Sequence, residues 1–181
     1  MIARIHQILR WICLKIKFGK CIEMPCKGTF VGKIHANINK NSKLKIGKGF
    51  SCRDNIIFNI SKGGGARLEI GNNTFINDGC KINVRKNITI GSGCIIGQNV
   101  LMYDHDHNYH SIDTLRNDFI ADDIVIGNDV WIGSNVVILR GTIIGDGCVI
   151  GAGSIIKGRV EHGTLVYPMQ SQVAKKIRED N

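Results

Sequence analysis

Three of the six histidines, His105, His107 and His110, fall in one run: Tyr103-Asp104-His105-Asp106-His107-Asn108-Tyr109-His110. Histidine titrates near neutral pH, so it is the side chain best suited to take a proton from a reacting group. Such a base needs its second ring nitrogen held, and Asp104 and Asp106 both stand where they could hold one. The same residue types also ligate metals. Alternating neighbours on one loop rarely converge on a single ion, so proton transfer is expected and a metal is not. The stretch stays polar to Asp122-Asp123, and 103–123 reads as a loop extruded from whatever precedes and follows it.

What flanks the loop is a repeat. Ile126, Ile132, Ile138, Ile144, Ile150 and Ile156 recur every six residues. Glycine follows four of them, at Gly127, Gly133, Gly145 and Gly151. The fourth residue after each is small or β-branched: Val130, Val136, Thr142, Cys148, Ser154 and Val160. The pattern also precedes the loop. Ile70, Ile76, Ile82 and Ile88 keep it, with Thr74 and Cys80 at the small position. A second phase starts at Ile90, Ile96 and Met102, with Cys94 and Val100. Weaker copies stand at Val31-Gly32 and Ile46-Gly47.

A period of six is neither helical nor that of a plain strand. It fits a solenoid in which each unit is a short strand and a bend, with three units to a triangular coil of roughly 18 residues. The aliphatic residue points inward, and the glycine after it is expected to relieve strain at the bend. Cys80, Cys94 and Cys148 are then small buried hydrophobes. The loop interrupts this ladder between Met102 and Ile126, and insertions from a solenoid face often form its binding site.

Composition excludes several alternatives. The chain has 181 residues, enough for one domain, with 43% hydrophobic and 22% charged residues. No apolar run is long enough to cross a membrane as a helix. Aromatics are 6%, too sparse for a single-strand stacking platform. The net charge of +9 is uneven: residues 1–50 hold 11 Lys/Arg and one acid, Glu23, and the remainder is near neutral. No nucleic-acid motif accompanies that charge, so an acidic partner or an anionic membrane face is the better match. Seven cysteines without a C-x-x-C pair or a signal-peptide pattern read as free thiols in a reducing cytoplasm.

The repeat resembles that of the hexapeptide-repeat acyltransferases, over roughly residues 30–160. The resemblance implies an all-β fold, a left-handed parallel β-helix. It is most detailed for the sugar O-acetyltransferases acting on maltose, galactosides and related sugars. There the catalytic histidine precedes the tryptophan of a V-W-I-G segment by 24 residues and follows the asparagine of an F-I-N segment by 30. Val130-Trp131-Ile132-Gly133 and Phe75-Ile76-Asn77 stand at those distances from His107. By this resemblance His107 is the general base, and Asn77, Trp131, His105 and Asp104 border the thioester or the acceptor. The donor is acetyl-CoA, lying between subunits of a homotrimer along Ser134 and the Gly151-Ala152-Gly153-Ser154 turn. Lys157, Arg159, Lys175 and Lys176 are candidates for its phosphates. No metal is implied, since the zinc ligands of γ-class carbonic anhydrases, which share the fold, are spread over separate coils. The family's C-terminal G-x-P-A-K-x-I is displaced here, reading Tyr167-Pro168-Met169-Gln170 and onward to Ile177.

Residues 1–27 read as a basic amphipathic helical lead, 28–163 as the coil, and 164–181 as a tail or short helix. Ile2, Ile5, Ile8, Leu9, Ile12 and Ile16 follow helical spacing with Arg4, Arg10, Lys15 and Lys17 interleaved. Such a lead suits either a cap over the open end of the coil or a peripheral membrane contact. A short helical lead before the coil resembles acetyltransferases of surface-polysaccharide assembly. That implies a cytoplasmic enzyme, at or near the inner face of the membrane. Two further readings are a streptogramin-type xenobiotic acetyltransferase and a catalytically silent solenoid scaffold.

Overall fold

The computed structural model describes residues 9, 12–25, 29–30, 32–61 and 65–169. They build a parallel β-solenoid with three faces, consistent with the left-handed parallel β-helix that the resemblance implies. Face A carries Ile22–Glu23, Lys43–Ile46, Arg67–Ile70, Asn87–Ile90, Ile124–Ile126, Ile143–Ile144 and Arg159–Val160. Face B carries Thr29–Phe30, Ser51–Cys52, Phe75–Ile76, Ile95–Ile96, Trp131–Ile132, Val149–Ile150 and Leu165–Val166. Face C carries Ile34–Ile38, Ile56–Ile60, Lys81–Val84, Leu101–Tyr103, Val137–Leu139 and Ile155–Ile156. The chain visits A, B and C in turn, and each strand pairs in parallel with those one coil away.

The aliphatic ladder is the core. Ile46, Ile70, Ile90, Ile126 and Ile144 stack in register on face A. Ile76, Ile96, Ile132 and Ile150 do so on face B. Phe58, Ile82, Met102, Ile138 and Ile156 do so on face C, and all of these side chains are buried. The change of phase at Ile88 and Ile90 has a simple cause. Both point inward from one strand, so the coil lengthens by two residues without losing its faces. The first coils are wider still: Ile56, Phe58 and Ile60 are all buried from a single strand.

Glycine after the ladder residue does a different job from the one expected. Gly127, Gly133 and Gly145 do not have positive φ. A Cβ on Gly133 would lie 2.6 Å from the backbone nitrogen of Ala152 in the next coil. These glycines permit close coil-to-coil approach. The left-handed conformation falls two residues later, at Asp129 and Asn135 (φ 54° and 59°) or at Gly147 (φ 66°).

The small position is filled as expected, with Cys80, Cys94 and Cys148 buried. Their thiols donate to backbone carbonyls of Gly97, Gly127 and Glu161 at 3.1, 3.1 and 2.9 Å. Burial pushes the Cys80 thiol up to about 11 and raises Cys94 as well. Thiol reagents should therefore label exposed Cys13 in the folded protein and leave Cys80, Cys94 and Cys148 untouched until it unfolds. The folded chain holds the Cys80 proton more tightly than the unfolded chain. Stability from this group is thus complete below its ordinary value of 9.0 and declines as pH rises toward about 11. Urea unfolding at the two ends of that window should show a smaller decline for Cys80→Ala than for the parent; equal declines would refute the assignment.

The ends of the coil differ from the expected boundaries. Ile22–Glu23 already pairs with Leu44–Lys45, and Leu165–Val166 pairs with Val149–Ile150. The coil therefore begins before residue 27 and runs beyond 163. Residues 12–18 are helical, and Leu14 and Phe18 pack against the first coils, closing that end. Lys15 Nζ donates to the Ile22 carbonyl at 2.9 Å. Leu9, Ile12 and Ile16 face outward instead, 52%, 38% and 79% exposed. No helix among the described residues is long and apolar enough to cross a membrane.

Candidate active site

The step from Met102 on face C to Ile126 on face A takes 24 residues, where the equivalent step from Ile138 to Ile144 takes six. The additional 18 residues form an ordered arm, not the open polar loop expected from composition. His105–His107 pairs antiparallel with Phe119–Ala121, and Ile112–Asn117 forms a short helix at the tip. Ser111 caps that helix: its Oγ accepts from Thr114 N, and Thr114 Oγ1 accepts from Ser111 N.

This helix explains the state of His107. The last carbonyls of a helix lack helical partners. Leu115 O is one of them, and it lies 2.9 Å from His107 Nδ1. A carbonyl can only accept, so Nδ1 carries a proton, and in the neutral imidazole the lone pair is on Nε2. His107 is exposed and its ring rests against Phe119, centroids 4.5 Å apart. Neither Asp104 nor Asp106 hydrogen-bonds to it; the orienting group is a backbone carbonyl, which the sequence does not single out.

Asp104 corrects an expectation. Its carboxylate is fully buried and accepts from the backbone N–H of Arg85 (2.8 and 3.1 Å) and of Lys86 (2.7 Å). It therefore cannot border a substrate directly; it roots the arm on the coil below. Its remaining partner is His105 Nδ1 at 2.9 Å, so His105 too has its Nδ1 protonated, with its side chain 16% exposed. Asp106 accepts from Arg140 Nε at 2.6 Å, and Arg140 Nη1 also contacts Asp122. The Asp106 hydrogen bond, with Asp122 adding to it, holds the Arg140 guanidinium above its ordinary value. Asp118 accepts from Asn108 Nδ2 and Phe119 N, which lowers its carboxyl. His110 is exposed, and no three His, Cys, Asp or Glu side chains among the described residues are grouped to hold a metal.

Four other expected residues come together elsewhere. Asn77, Trp131, Ser134 and Ala152 line one groove of about 430 Å³ on face B, with Ile95, Val149 and the glycines 97, 133 and 151. Trp131 is 55% exposed, pointing out between Ile95 and Val149, so it walls the groove and does not fill the core. Asn77 Oδ1 accepts from Asp78 N at 2.9 Å. Apolar walls over a glycine-lined floor suit a slender, flexible chain. Lys157 is exposed outside the groove lining, and Lys175 and Lys176 lie outside the described residues.

The arm and the groove are separate. The arm leaves the corner between faces C and A, whereas the groove occupies face B and its turn toward face C. No arm residue is part of the groove lining. The sequence alone missed Arg140, Phe119, Arg85 and Leu115. Phe119, a lone aromatic in a polar run, was the one visible signal.

Residues 123–158 match the family described as bacterial transferase hexapeptide (six repeats). Among curated proteins no sequence matches. Solved structures do. A hexapeptide-repeat acetyltransferase from Vibrio cholerae O1 biovar eltor, in complex with acetyl coenzyme A, superposes with a TM-score of 0.60 at 24% identity, over 96% of this chain and 79% of that one. The polySia-specific acetyltransferase NeuO gives 0.59 at 28% identity, over 86% and 75%. A maltose O-acetyltransferase from Clostridium difficile 630 gives 0.52 at 27% identity, over 84% and 71%. Repeat, coil and similar structures agree: the chain carries hexapeptide repeats over residues 123–158 and has the fold of the hexapeptide-repeat acetyltransferases.

Proposed function

We propose that the chain is an acetyl-CoA-dependent O-acetyltransferase that acts on a sugar hydroxyl in surface-polysaccharide synthesis. The observation that carries this reading is a site in two halves. Face B has a groove with no base in its lining, and the corner between faces C and A carries a histidine whose Nδ1 is held by a backbone carbonyl. A homotrimer brings the arm of one copy to the groove of the next. The relatives support the chemistry: two neighbours at 27–28% identity are named for acetyl transfer to maltose and to polysialic acid.

In this account the pantetheine arm of acetyl-CoA lies along Trp131, Ser134 and Ala152, and Asn77 borders the acceptor. Nε2 of His107 takes the proton of the acceptor hydroxyl as its oxygen attacks the acetyl carbonyl. The carbon–sulfur bond then breaks, and the sulfur receives the proton from the imidazolium, giving CoA thiol and an acetyl ester. The Nδ1–H bond to Leu115 keeps the imidazole in the tautomer this requires. A second assignment has one observation in its favour: the Asp104–His105 pair is a carboxylate-oriented imidazole, which makes His105 the alternative base.

Incubating the protein with labelled acetyl-CoA and a panel of sugars, oligosaccharides and streptogramin-type antibiotics tests the reading. The expected product is a sugar ester, cleaved by hydroxylamine. Acetylation of the antibiotics alone would replace the sugar with a xenobiotic acceptor. Failure to bind acetyl-CoA would leave the scaffold.

The exposed Leu9, Ile12 and Ile16 row and the basic first fifty residues support a cytoplasmic enzyme touching an anionic membrane surface. Co-sedimentation with anionic vesicles should be lost in Ile12→Glu/Ile16→Glu and weakened by salt. No pelleting of the parent protein would exclude that contact.

A further inference from the structure

The arm is held to the coil by more than its own chain. From below, Asp104 takes the Arg85 and Lys86 N–H groups, and the Arg85 guanidinium lies 3.2 Å from the centroid of the Phe119 ring. From above comes Arg140, which follows the face C strand Val137–Leu139 of the next coil. Its Nε reaches Asp106 on the outgoing strand of the arm, and its Nη1 reaches Asp122 where the arm returns. One guanidinium therefore fastens both strands of the hairpin. The Arg140 side chain is only 18% exposed, so this is not a loose surface pair. His107 is the residue immediately after Asp106.

We infer that Arg140 is a positioning residue for the base: through Asp106 and Asp122 it fixes the angle of the arm, and with it the place of His107. The inference rests on the proposed reaction for its kinetic consequence, but not for its structural one. The fork geometry matters, because two carboxylates are engaged by two nitrogens held in one plane. Lysine offers a single point charge and cannot reproduce that. None of these residues lines the groove on face B of its own chain, so the expected effect is on kcat and not on donor affinity.

The test compares the parent, Arg140→Met, Arg140→Lys and Asp106→Asn in two measurements. In steady-state acetyl transfer, Arg140→Met should lower kcat by about 10- to 100-fold, the penalty expected for a misplaced reacting group. Acetyl-CoA affinity should stay as in the parent, and Arg140→Lys should restore little. Asp106→Asn combined with Arg140→Met should cost far less than the product of the separate effects. The second measurement is amide hydrogen exchange at Asp122, whose N–H donates to Asp104 O where the arm meets the coil. Arg140→Met should speed that exchange while the amides of the coil stay protected, and Arg140→Lys should restore little of the protection. Unchanged exchange, or a loss of donor affinity equal to the loss of kcat, would overturn the inference. If the parent transfers no acetyl group, the reaction reading fails while the exchange comparison still decides the role of Arg140.

Discussion

Replacing His107 with alanine should reduce acceptor-dependent acetyl transfer by about 10²- to 10⁴-fold, the usual contribution of a positioned general base. The loss should fall on kcat, because the groove that would hold acetyl-CoA contains no arm residue. Donor affinity, measured by calorimetry, should match that of the parent. The coil should be unaffected too: His107 is exposed and contributes nothing to the buried ladder. His105→Ala is the informative partner. His105 is packed beside Tyr103 and Phe119 and tied to the buried Asp104, so its loss should loosen the arm root and reduce rate by a smaller factor. If His105→Ala abolished transfer while His107→Ala retained it, the base would be His105, and the Asp104 pair would become the catalytic device.

The second large effect concerns which copy supplies which half. The arm leaves the corner between faces C and A, while the groove occupies face B and its turn toward face C and has no arm residue in its lining, so the base is expected to come from a neighbouring copy. His107→Ala and a groove-blocked variant such as Ala152→Trp should each be nearly inactive alone. Ala152 is exposed at a turn, so a bulky side chain obstructs the groove without entering the core. When the two variants are unfolded, mixed and refolded together, activity should return. In a random mixture of threefold assemblies, roughly one site in four combines an intact base with an intact groove. No recovery from mixed oligomers, shown by mass to contain both variants, would mean that base and groove do not cooperate across copies.

Much of the fold was readable because its determinants are local and repeated. Each hexapeptide repeats the same physical demand, an aliphatic side chain inward and a small one four places on, so Ile126 to Ile156 announce the coil without tertiary information. The reason for the glycines was not readable. Gly133 looks like a bend residue in sequence, but what it accommodates is the backbone of Ala152 in the next coil. Asn77 and Trp131 came from fixed spacings, Ser134 and Ala152 from resemblance to the family's donor-lining turns, and the four lie together because positions about a coil apart share a face. The arm resisted sequence reading for the opposite reason. Its geometry depends on unique contacts: Asp104 with the Arg85 and Lys86 amides, Arg140 with Asp106 from 34 residues away, and His107 with a helix carbonyl. None of these has a periodic signature. Polar composition suggested a solvated loop, whereas pairing and capping make it an ordered projection.

The most direct test of the account follows free CoA thiol with time as the parent protein is mixed with acetyl-CoA, first alone and then with each member of a sugar panel. The account predicts slow release without acceptor and a large, saturable increase with at least one hydroxylated sugar, accompanied by an equal amount of acetyl ester. Acetyl-CoA that is neither bound nor cleaved, with or without any acceptor, would contradict it.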